Sequence, residues 1–181
     1  MRIISGAFRG RRLLSPKSAE IRPTSDRVRE AIFSIIASEI PGAQVLDLFA
    51  GTGAMGLEAL SRGAASAVFV DRGTEAVRLI KENIELCKAG NTASIIRDTV
   101  PSAIKKLAAQ GRTFEVIFMD PPYGMGLVEK TIDMLDSVAA PAAIMVAEHH
   151  LKDETPSELK LWSKETERRY GDTLVSIYSR G

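Results

Sequence analysis

The chain has 181 residues, a length that suits one domain with one hydrophobic core, and its net charge of +1 and its mean hydropathy both lie near zero. No run of about eighteen apolar residues is present to cross a membrane, and the single cysteine, Cys87, cannot form an internal disulfide. These features exclude a membrane-spanning or disulfide-stapled protein, and we expect a cytoplasmic monomer.

Positive charge is concentrated in residues 1–29. This basic segment carries eight arginine and lysine residues against Glu20 and Asp26, so its charge is +6 and that of the remainder is −5. Arginine can donate two hydrogen bonds to one phosphate, and phosphate contacts supply most sequence-independent affinity for nucleic acids. The segment therefore predicts a nucleic-acid contact, with a merely solvated hairpin as the alternative. The candidate nucleic-acid contacts are Arg2, Arg9, Arg11, Arg12, Arg22 and Arg27.

The first forty residues predict an extension to the main domain. Residues 2–21 alternate apolar and polar side chains around Gly6 and Gly10, which indicates an irregular β-hairpin outside that domain. Thr24 is placed to cap a helix that runs to about Ile40. We therefore expect residues 1–181 to form a single domain, in which residues 1–41 are a basic hairpin and helix and residues 42–181 are the catalytic core.

Strands and helices alternate from residue 44 onward. Strands are predicted at residues 45–48, 67–71, 94–96, 114–120 and 142–147. Helices are predicted between them at about residues 54–62, 74–89, 100–110 and 127–138. This alternation is typical of an α/β fold with a parallel sheet covered on both faces. Two alternating segments, residues 159–166 and 173–178, predict a terminal antiparallel hairpin.

A glycine-rich turn follows the first predicted strand. Asp47 closes that strand, and residues 51–56 match the G-x-G-x-x-G pattern, which brings the backbone close to a nucleotide. Asp71 ends the second strand, where its carboxylate can accept hydrogen bonds from both ribose hydroxyls, and Asp98 follows the third, where it can accept from an adenine amine. The candidate cofactor-binding residues are Asp47, Phe49, Ala50, Gly51, Thr52, Gly53, Asp71, Arg72 and Asp98.

A nicotinamide oxidoreductase shares this glycine pattern. The carboxylate of Asp47, however, repels a pyrophosphate and can organise the cationic aminoacyl end of S-adenosylmethionine. The motif also begins after some forty residues, and no hydride-transfer site is recognisable downstream. The residues therefore favour S-adenosylmethionine as the cofactor, with the oxidoreductase as an alternative.

A second motif, D-P-P-Y at residues 120–123, follows the fourth predicted strand and so emerges at the same edge of the sheet. Hydrogen bonds to the Asp120 carboxylate and the Pro121 carbonyl would orient an exocyclic amine of a base. The two prolines stiffen the loop, and the ring of Tyr123 suits stacking with the base. The candidate catalytic residues are Asp120, Pro121, Pro122 and Tyr123.

Three residues beyond these motifs are ambiguous. Glu148 could line an acceptor pocket or be a surface acid. His149 and His150 lack a third ligand at a suitable spacing, so we expect no metal site.

Over essentially its whole length the chain resembles the bacterial methyltransferases that modify guanine N2 in small-subunit ribosomal RNA. The resemblance rests on R-I-I-S-G with R-G-R, on R-P-T-S-D-R-V-R-E, on D-L-F-A-G-T-G with G-L-E-A-L-S-R-G, and on D-P-P-Y, at residues 2–6, 9–11, 22–30, 47–53, 56–63 and 120–123. It implies a Rossmann-like seven-stranded methyltransferase sheet, S-adenosylmethionine as the donor, and a guanine in ribosomal RNA, within the small subunit, as the substrate.

Without the family resemblance, the motifs predict only that the methyl acceptor is an exocyclic amine on a base. Adenine-N6 methylation of DNA or RNA therefore remains an alternative, as does a catalytically idle RNA-binding factor with the same fold.

Overall fold

The computed structural model describes residues 1–16, 25–122, 127–153, 158–159 and 161–181. Within these ranges, no helix has the length and apolar character needed to cross a membrane.

One mixed sheet of eight strands organises the described chain, in the order β3-β2-β1-β4-β5-β8-β7-β6. The strands are β1 Gln44–Leu48, β2 Ser66–Asp71, β3 Ala93–Arg97, β4 Phe114–Met119, β5 Ala139–His150, β6 Glu158–Leu159, β7 Trp162–Tyr170 and β8 Thr173–Arg180. Strands β1 to β5 are parallel, and β8 runs antiparallel between β5 and β7. The predicted α/β fold with a terminal antiparallel hairpin is therefore confirmed.

The sheet has one strand more than the seven predicted. The segment predicted as a single strand at residues 159–166 is divided, because the two-residue β6 turns back and pairs with the start of β7, where Leu159 lies opposite Trp162. Trp162 itself is buried and its indole N–H donates to Asp136 at 2.9 Å, so it fixes the hairpin to the body of the sheet.

Helices cover both faces of the sheet, as expected for parallel strands that are apolar on both sides. They are α1 Asp26–Ile35, α2 Ala54–Ser61, α3 Thr74–Cys87, α4 Val100–Ala109 and α5 Leu127–Leu135. Side chains of α1, α2 and α3 share one buried cluster with the sheet, and side chains of α4 and α5 share the other.

The start of α1 differs from the prediction. Ser25 is the N-cap, and its hydroxyl accepts from the Val28 amide at 3.3 Å. The predicted cap, Thr24, lies outside the described residues. The helix ends at Ile35, and a 3₁₀ turn, Ala37–Glu39, continues toward Ile40.

The first sixteen residues, called the N-terminal arm below, lie against the core. One antiparallel bridge joins Arg2 and Arg12, so the arm is hairpin-like, but the packing corrects the prediction that it stands outside the main domain. Ile3 is only 1% exposed. Gly6 passes so close to α2 that a Cβ atom there would lie 1.7 Å from the Ser61 carbonyl oxygen, and its φ of +81° suits glycine.

Arg29 belongs to the basic segment by sequence, but the structure places its charge inside the protein. Its side chain is fully buried, with Asp26 at 3.0 Å and Glu58 at 3.7 Å. It also donates to the carbonyl of Arg2. The charge of Arg29 therefore ties α1, α2 and the arm together and is not presented to solvent.

Candidate active site

A cavity of about 970 Å³ lies over the edge of the sheet at which the parallel strands end. This volume is at the upper end of the usual range for ligand pockets, roughly 300 to 1,000 Å³. Six adjacent strands contribute a lining residue from their end or start, namely Asp98, Asp71, Asp47, Asp120, His150 and Thr173 in the order of the sheet from β3 to β8. The cavity therefore follows the edge at which α/β sheets bind ligands.

The glycine turn forms one wall of this cavity. Gly51 and Gly53 have φ values of +55° and +75°. Phe49, between the strand and the turn, has a φ of +57°, a backbone conformation that is strained for any residue other than glycine and is typical of ligand-binding loops. A Cβ atom on Gly56 would lie 2.4 Å from the Phe69 ring. The glycines thus let α2 start directly above β2.

Asp71 holds the turn in place. One carboxylate oxygen accepts from the Gly51 amide at 2.9 Å, and the other accepts from the Gly73 amide at 2.8 Å. Each oxygen can accept a further hydrogen bond, so the predicted ribose contact is compatible with this bracing.

Asp47 is almost fully buried beneath the turn, where the Gly56 amide donates to it at 2.9 Å. Burial and, less strongly, the nearby Asp71 together raise the pKa of this carboxyl to about 7, against the opposing effect of the Gly56 hydrogen bond. Among the described residues no cation forms an ion pair with Asp47, and such a buried carboxylate is well suited to receive a ligand cation.

Asp98 is engaged with α4. Its carboxylate accepts from the Thr99 amide at 2.7 Å, from the Ser102 hydroxyl at 2.8 Å and from the Lys106 ammonium at 2.7 Å. The Lys106 and Ser102 hydrogen bonds lower the pKa of Asp98 to about 2. Asp98 lines the cavity, but its first role is to hold the start of α4, and the adenine contact stays a prediction.

Asp120 lies directly after β4, beside a second acid. Met119 is paired with Ala147, so Glu148 on β5 comes next to Asp120 across the sheet. Burial, followed by Glu148 and then Asp47, raises the pKa of Asp120 well above its usual value. Glu148 is 9% exposed, which rules out the surface-acid interpretation.

The cavity brings together all but one of the predicted cofactor-binding and catalytic residues that the structure describes. Eleven of them line it: Asp47, Phe49, Ala50, Gly51, Thr52, Asp71, Arg72, Asp98, Asp120, Pro121 and Pro122. Gly53 instead lies beneath the turn against Phe69 and caps α2. Tyr123 lies outside the described residues.

Sequence reasoning missed the far side of the cavity. Its wall there is made by α5 and by the turn between β7 and β8, with Lys130, Thr131, Met134, His150, Asp172 and Thr173. The antiparallel register that sets His150 opposite Thr173 brings these segments together, and no local motif signals it. Within the described ranges, no group of three acids, histidines or cysteines is arranged to hold a metal.

The predicted nucleic-acid contacts have different surroundings. Arg9, Arg12 and Arg27 are exposed, and the Arg2 side chain is 70% exposed at 3.8 Å from Asp26. Arg11 is partly buried, donates to the Leu86 carbonyl at 2.6 Å and lies over the Phe8 ring. Arg22 lies outside the described residues.

The fold and the cavity define the class of this protein. A Rossmann-like sheet with a terminal antiparallel hairpin, a glycine turn braced by the acid that ends β2, and a D-P-P loop at the end of β4 are the features of an S-adenosylmethionine-dependent methyltransferase.

Comparison with known proteins identifies the family. The family model described as conserved hypothetical protein 95 matches residues 1–179, and the chain belongs to this family. The chain is 38% identical over 182 residues to "Ribosomal RNA small subunit methyltransferase D" of Escherichia coli strain K12, covering 99% of this chain and 90% of that protein. The protein of the same name from Haemophilus influenzae is 32% identical, with 98% and 93% covered.

A solved structure agrees. "Putative methyltransferase yhhF from Escherichia coli" superposes with a TM-score of 0.86 at 37% identity, covering 99% of this chain and 97% of that one. The predicted family resemblance is confirmed.

Proposed function

We propose that the protein transfers a methyl group from S-adenosylmethionine to the exocyclic N2 amine of a guanine in small-subunit ribosomal RNA. The observation that carries the proposal is the single cavity that joins the glycine turn after β1 to Asp120 and Pro121 after β4. One ligand over β1, β2 and β3 and a second over β4, β5 and β8 would meet at Asp120.

The first half of the cavity fits S-adenosylmethionine. Its wall carries a buried carboxylate, Asp47, for an ammonium group, and a second, Asp71, for the ribose hydroxyls, with Arg72 beside it. Side chains are absent from the turn at Gly51, so the backbone can approach the nucleoside closely. When bound, this cofactor supplies an electrophilic methyl group on a sulfonium.

The second half of the cavity would receive the base, extruded from the RNA as enzymes that modify a base require. The amine nitrogen of guanine is a weak nucleophile because its lone pair is delocalised into the ring. Asp120 and the Pro121 carbonyl can accept hydrogen bonds from the amine and so aim the nitrogen at the methyl group. Tyr123 is proposed, from its place in the motif, to stack on the base.

The acids around Asp120 favour guanine over adenine. The Watson–Crick edge of guanine offers two neighbouring donors at N1 and N2 beside the O6 acceptor, whereas that of adenine offers a donor at N6 and an acceptor at N1. Asp120 and the Pro121 carbonyl offer acceptors at this end of the cavity, and the buried Glu148 lies beside Asp120.

Ribosomal RNA as the substrate is supported by two findings. The relatives from Escherichia coli and Haemophilus influenzae carry ribosomal RNA small subunit methyltransferase in their names. The exposed Arg9 and Arg12 of the arm present positive charge suited to phosphates. We propose that residues 1–181 act as one monomeric methyltransferase domain on the small subunit.

Methyl transfer from labelled S-adenosylmethionine to a panel of acceptors tests this function. Small subunits from a strain that lacks the enzyme, deproteinised small-subunit RNA, large subunits and duplex DNA would be compared, with Asp120→Ala as the inactive control. We expect label in the small-subunit RNA only. Label in DNA, or equal label in all acceptors, would contradict the assignment.

A further inference from the structure

The N-terminal arm presents exposed arginines on one face and contributes a lining residue to the cavity on the other. We propose that RNA bound to the outer face of the arm and cofactor bound in the cavity strengthen each other, with Asn83 as the positioning residue that connects the two. This inference rests on the proposed function only in that the arm binds RNA. It concerns affinities and requires no turnover.

The inner face of the arm reaches the cavity. Met1 is one of the residues that line it, and the Met1 sulfur lies 4.0 Å from the hydroxyl oxygen of Thr52 in the glycine turn. The Met1 carbonyl accepts from the Leu13 amide at 3.2 Å, so the position of Met1 depends on the other limb of the arm. Displacing the arm would therefore open one wall of the cofactor site.

Asn83 joins the arm to the glycine turn. This α3 side chain is fully buried, and its amide nitrogen donates to the Thr52 carbonyl at 2.9 Å and to the Leu14 carbonyl at 3.1 Å. Its amide oxygen accepts from the Leu14 amide at 2.7 Å. One buried amide thus holds the cofactor turn and the arm together, and a shift of either leaves a buried polar group unpaired.

A second connection runs through α2, the helix that begins at the glycine turn. The buried Glu58 carboxylate accepts from the amides of Ile4 at 2.8 Å and Ser5 at 3.0 Å. The Ser61 hydroxyl accepts from the Phe8 amide at 2.9 Å. These bonds fix the arm to α2, and α2 begins at the glycine turn that the cofactor contacts. The arm and the glycine turn are therefore expected to move together.

The outer face of the same arm carries the exposed Arg9 and Arg12. RNA that pairs with these arginines and with the exposed Arg27 of α1 binds the docked arm in preference to a displaced one, because Arg2 of the docked arm lies 3.8 Å from Asp26 at the start of that helix and displacement separates the arm from it. The cofactor likewise binds the docked form, whose wall is complete. Two ligands that favour the same conformation must raise each other's affinity by the same factor.

Binding measurements in both directions test the coupling. The probes are S-adenosylhomocysteine, which carries no net charge and so does not attract RNA by itself, and a fluorescently labelled RNA hairpin of fixed sequence. We expect saturating S-adenosylhomocysteine to tighten RNA binding by about 5-fold or more, and RNA to tighten S-adenosylhomocysteine binding by the same factor, within the usual range of roughly 5- to 150-fold. RNA affinity that is identical with and without S-adenosylhomocysteine would overturn the proposal.

Asn83→Ala is the diagnostic variant, and Glu85→Ala, at an exposed position of the same helix, is its control. We expect the coupling factor to fall toward one in Asn83→Ala and to stay unchanged in Glu85→Ala. A coupling factor that survives in Asn83→Ala would remove Asn83 from the connection. If that variant does not fold, hydrogen exchange of the wild-type Ile4, Ser5 and Leu14 amides, which bond from the arm to Glu58 and Asn83, decides: they should slow when S-adenosylhomocysteine binds, and unchanged exchange contradicts the coupling.

The two proposals fail separately. Absence of methyl transfer to RNA would refute the proposed function but leave the coupling factor measurable. Conversely, independent binding of the two ligands would refute the coupling while methyl transfer could still proceed.

Discussion

Replacement of Asp47 by asparagine should make the ligand-free protein more stable at neutral and alkaline pH. The carboxyl of Asp47 is 3% exposed, and burial is the main reason that its pKa rises from 3.8 to about 7. Asparagine has nearly the same shape, carries no charge, and its carbonyl oxygen can still accept from the Gly56 amide. The substitution therefore removes the buried charge and keeps the hydrogen bond.

The pH dependence follows from the direction of the shift. Because the folded pKa lies above the unfolded one, the folded protein holds its proton more tightly, and the free energy of unfolding falls as the pH rises from about 4 to about 7. Three pKa units correspond to about 4 kcal/mol, an upper limit for the gain of Asp47→Asn above pH 7. In a domain of this size that equals roughly 8 to 16 °C in Tm.

Thermal and urea unfolding of both proteins between pH 4 and pH 8 measures the effect. The stability difference should be small near pH 4 and grow through pH 7, while Glu30→Gln, at an exposed position of α1, should show no such growth. S-adenosylhomocysteine should bind more weakly to Asp47→Asn, because its ammonium loses a charged partner. An Asp47→Asn protein no more stable than the wild type at pH 8 would refute the reasoning.

Further substitutions test the other parts of the site. Asp120→Ala should leave S-adenosylhomocysteine affinity largely intact but reduce turnover by about 100-fold or more, measured as single-turnover methyl transfer. Tyr123→Phe should keep its activity and Tyr123→Ala should lose about 1 to 3 kcal/mol of base contact; equal loss in both would show that the hydroxyl is required. Asp71→Ala should weaken S-adenosylhomocysteine binding by about 1 to 3 kcal/mol in calorimetry, since two loop amides and the ribose lose their acceptor. Arg12→Ala should reduce the slope of log affinity for RNA against log salt by about 0.9 or less, and an unchanged slope would show that Arg12 is only solvated.

The sequence was sufficient to place the main acids of the site. Asp47, Asp71 and Asp120 each end or follow an apolar strand, and parallel strands bring their carboxyl ends to one edge of the sheet. The same local pattern, an acid at the end of an apolar strand, therefore predicts both the type of side chain and its position at the edge of the sheet. Asp98 fits this rule in position, but its contact with Lys106 depends on where α4 begins and could not be predicted from the strand alone.

The arm could not be placed in this way. Its position is set by contacts between residues far apart in the chain, above all Glu58 with the Ile4 and Ser5 amides and the close approach of Gly6 to Ser61. A composition rich in arginine predicts exposure, yet Arg29 is buried because Glu58 and Asp26 lie beside it. Similarly, the sequence alone does not distinguish Glu148 from an exposed acid at the end of a strand. Glu148 is buried because β8 pairs with β5 and places Val175 opposite it, a contact between residues far apart in the chain.

The central claim is tested most directly by mapping the ribosomal RNA modifications in four strains. These are the source strain, a deletion strain, and deletion strains that express either the wild type or Asp120→Ala. Mass spectrometry of nuclease fragments should show one N2-methylguanosine of the small-subunit RNA lost on deletion, restored by the wild type and not by Asp120→Ala. Loss of an N6-methyladenosine instead, or no change in any small-subunit nucleotide, would contradict the account.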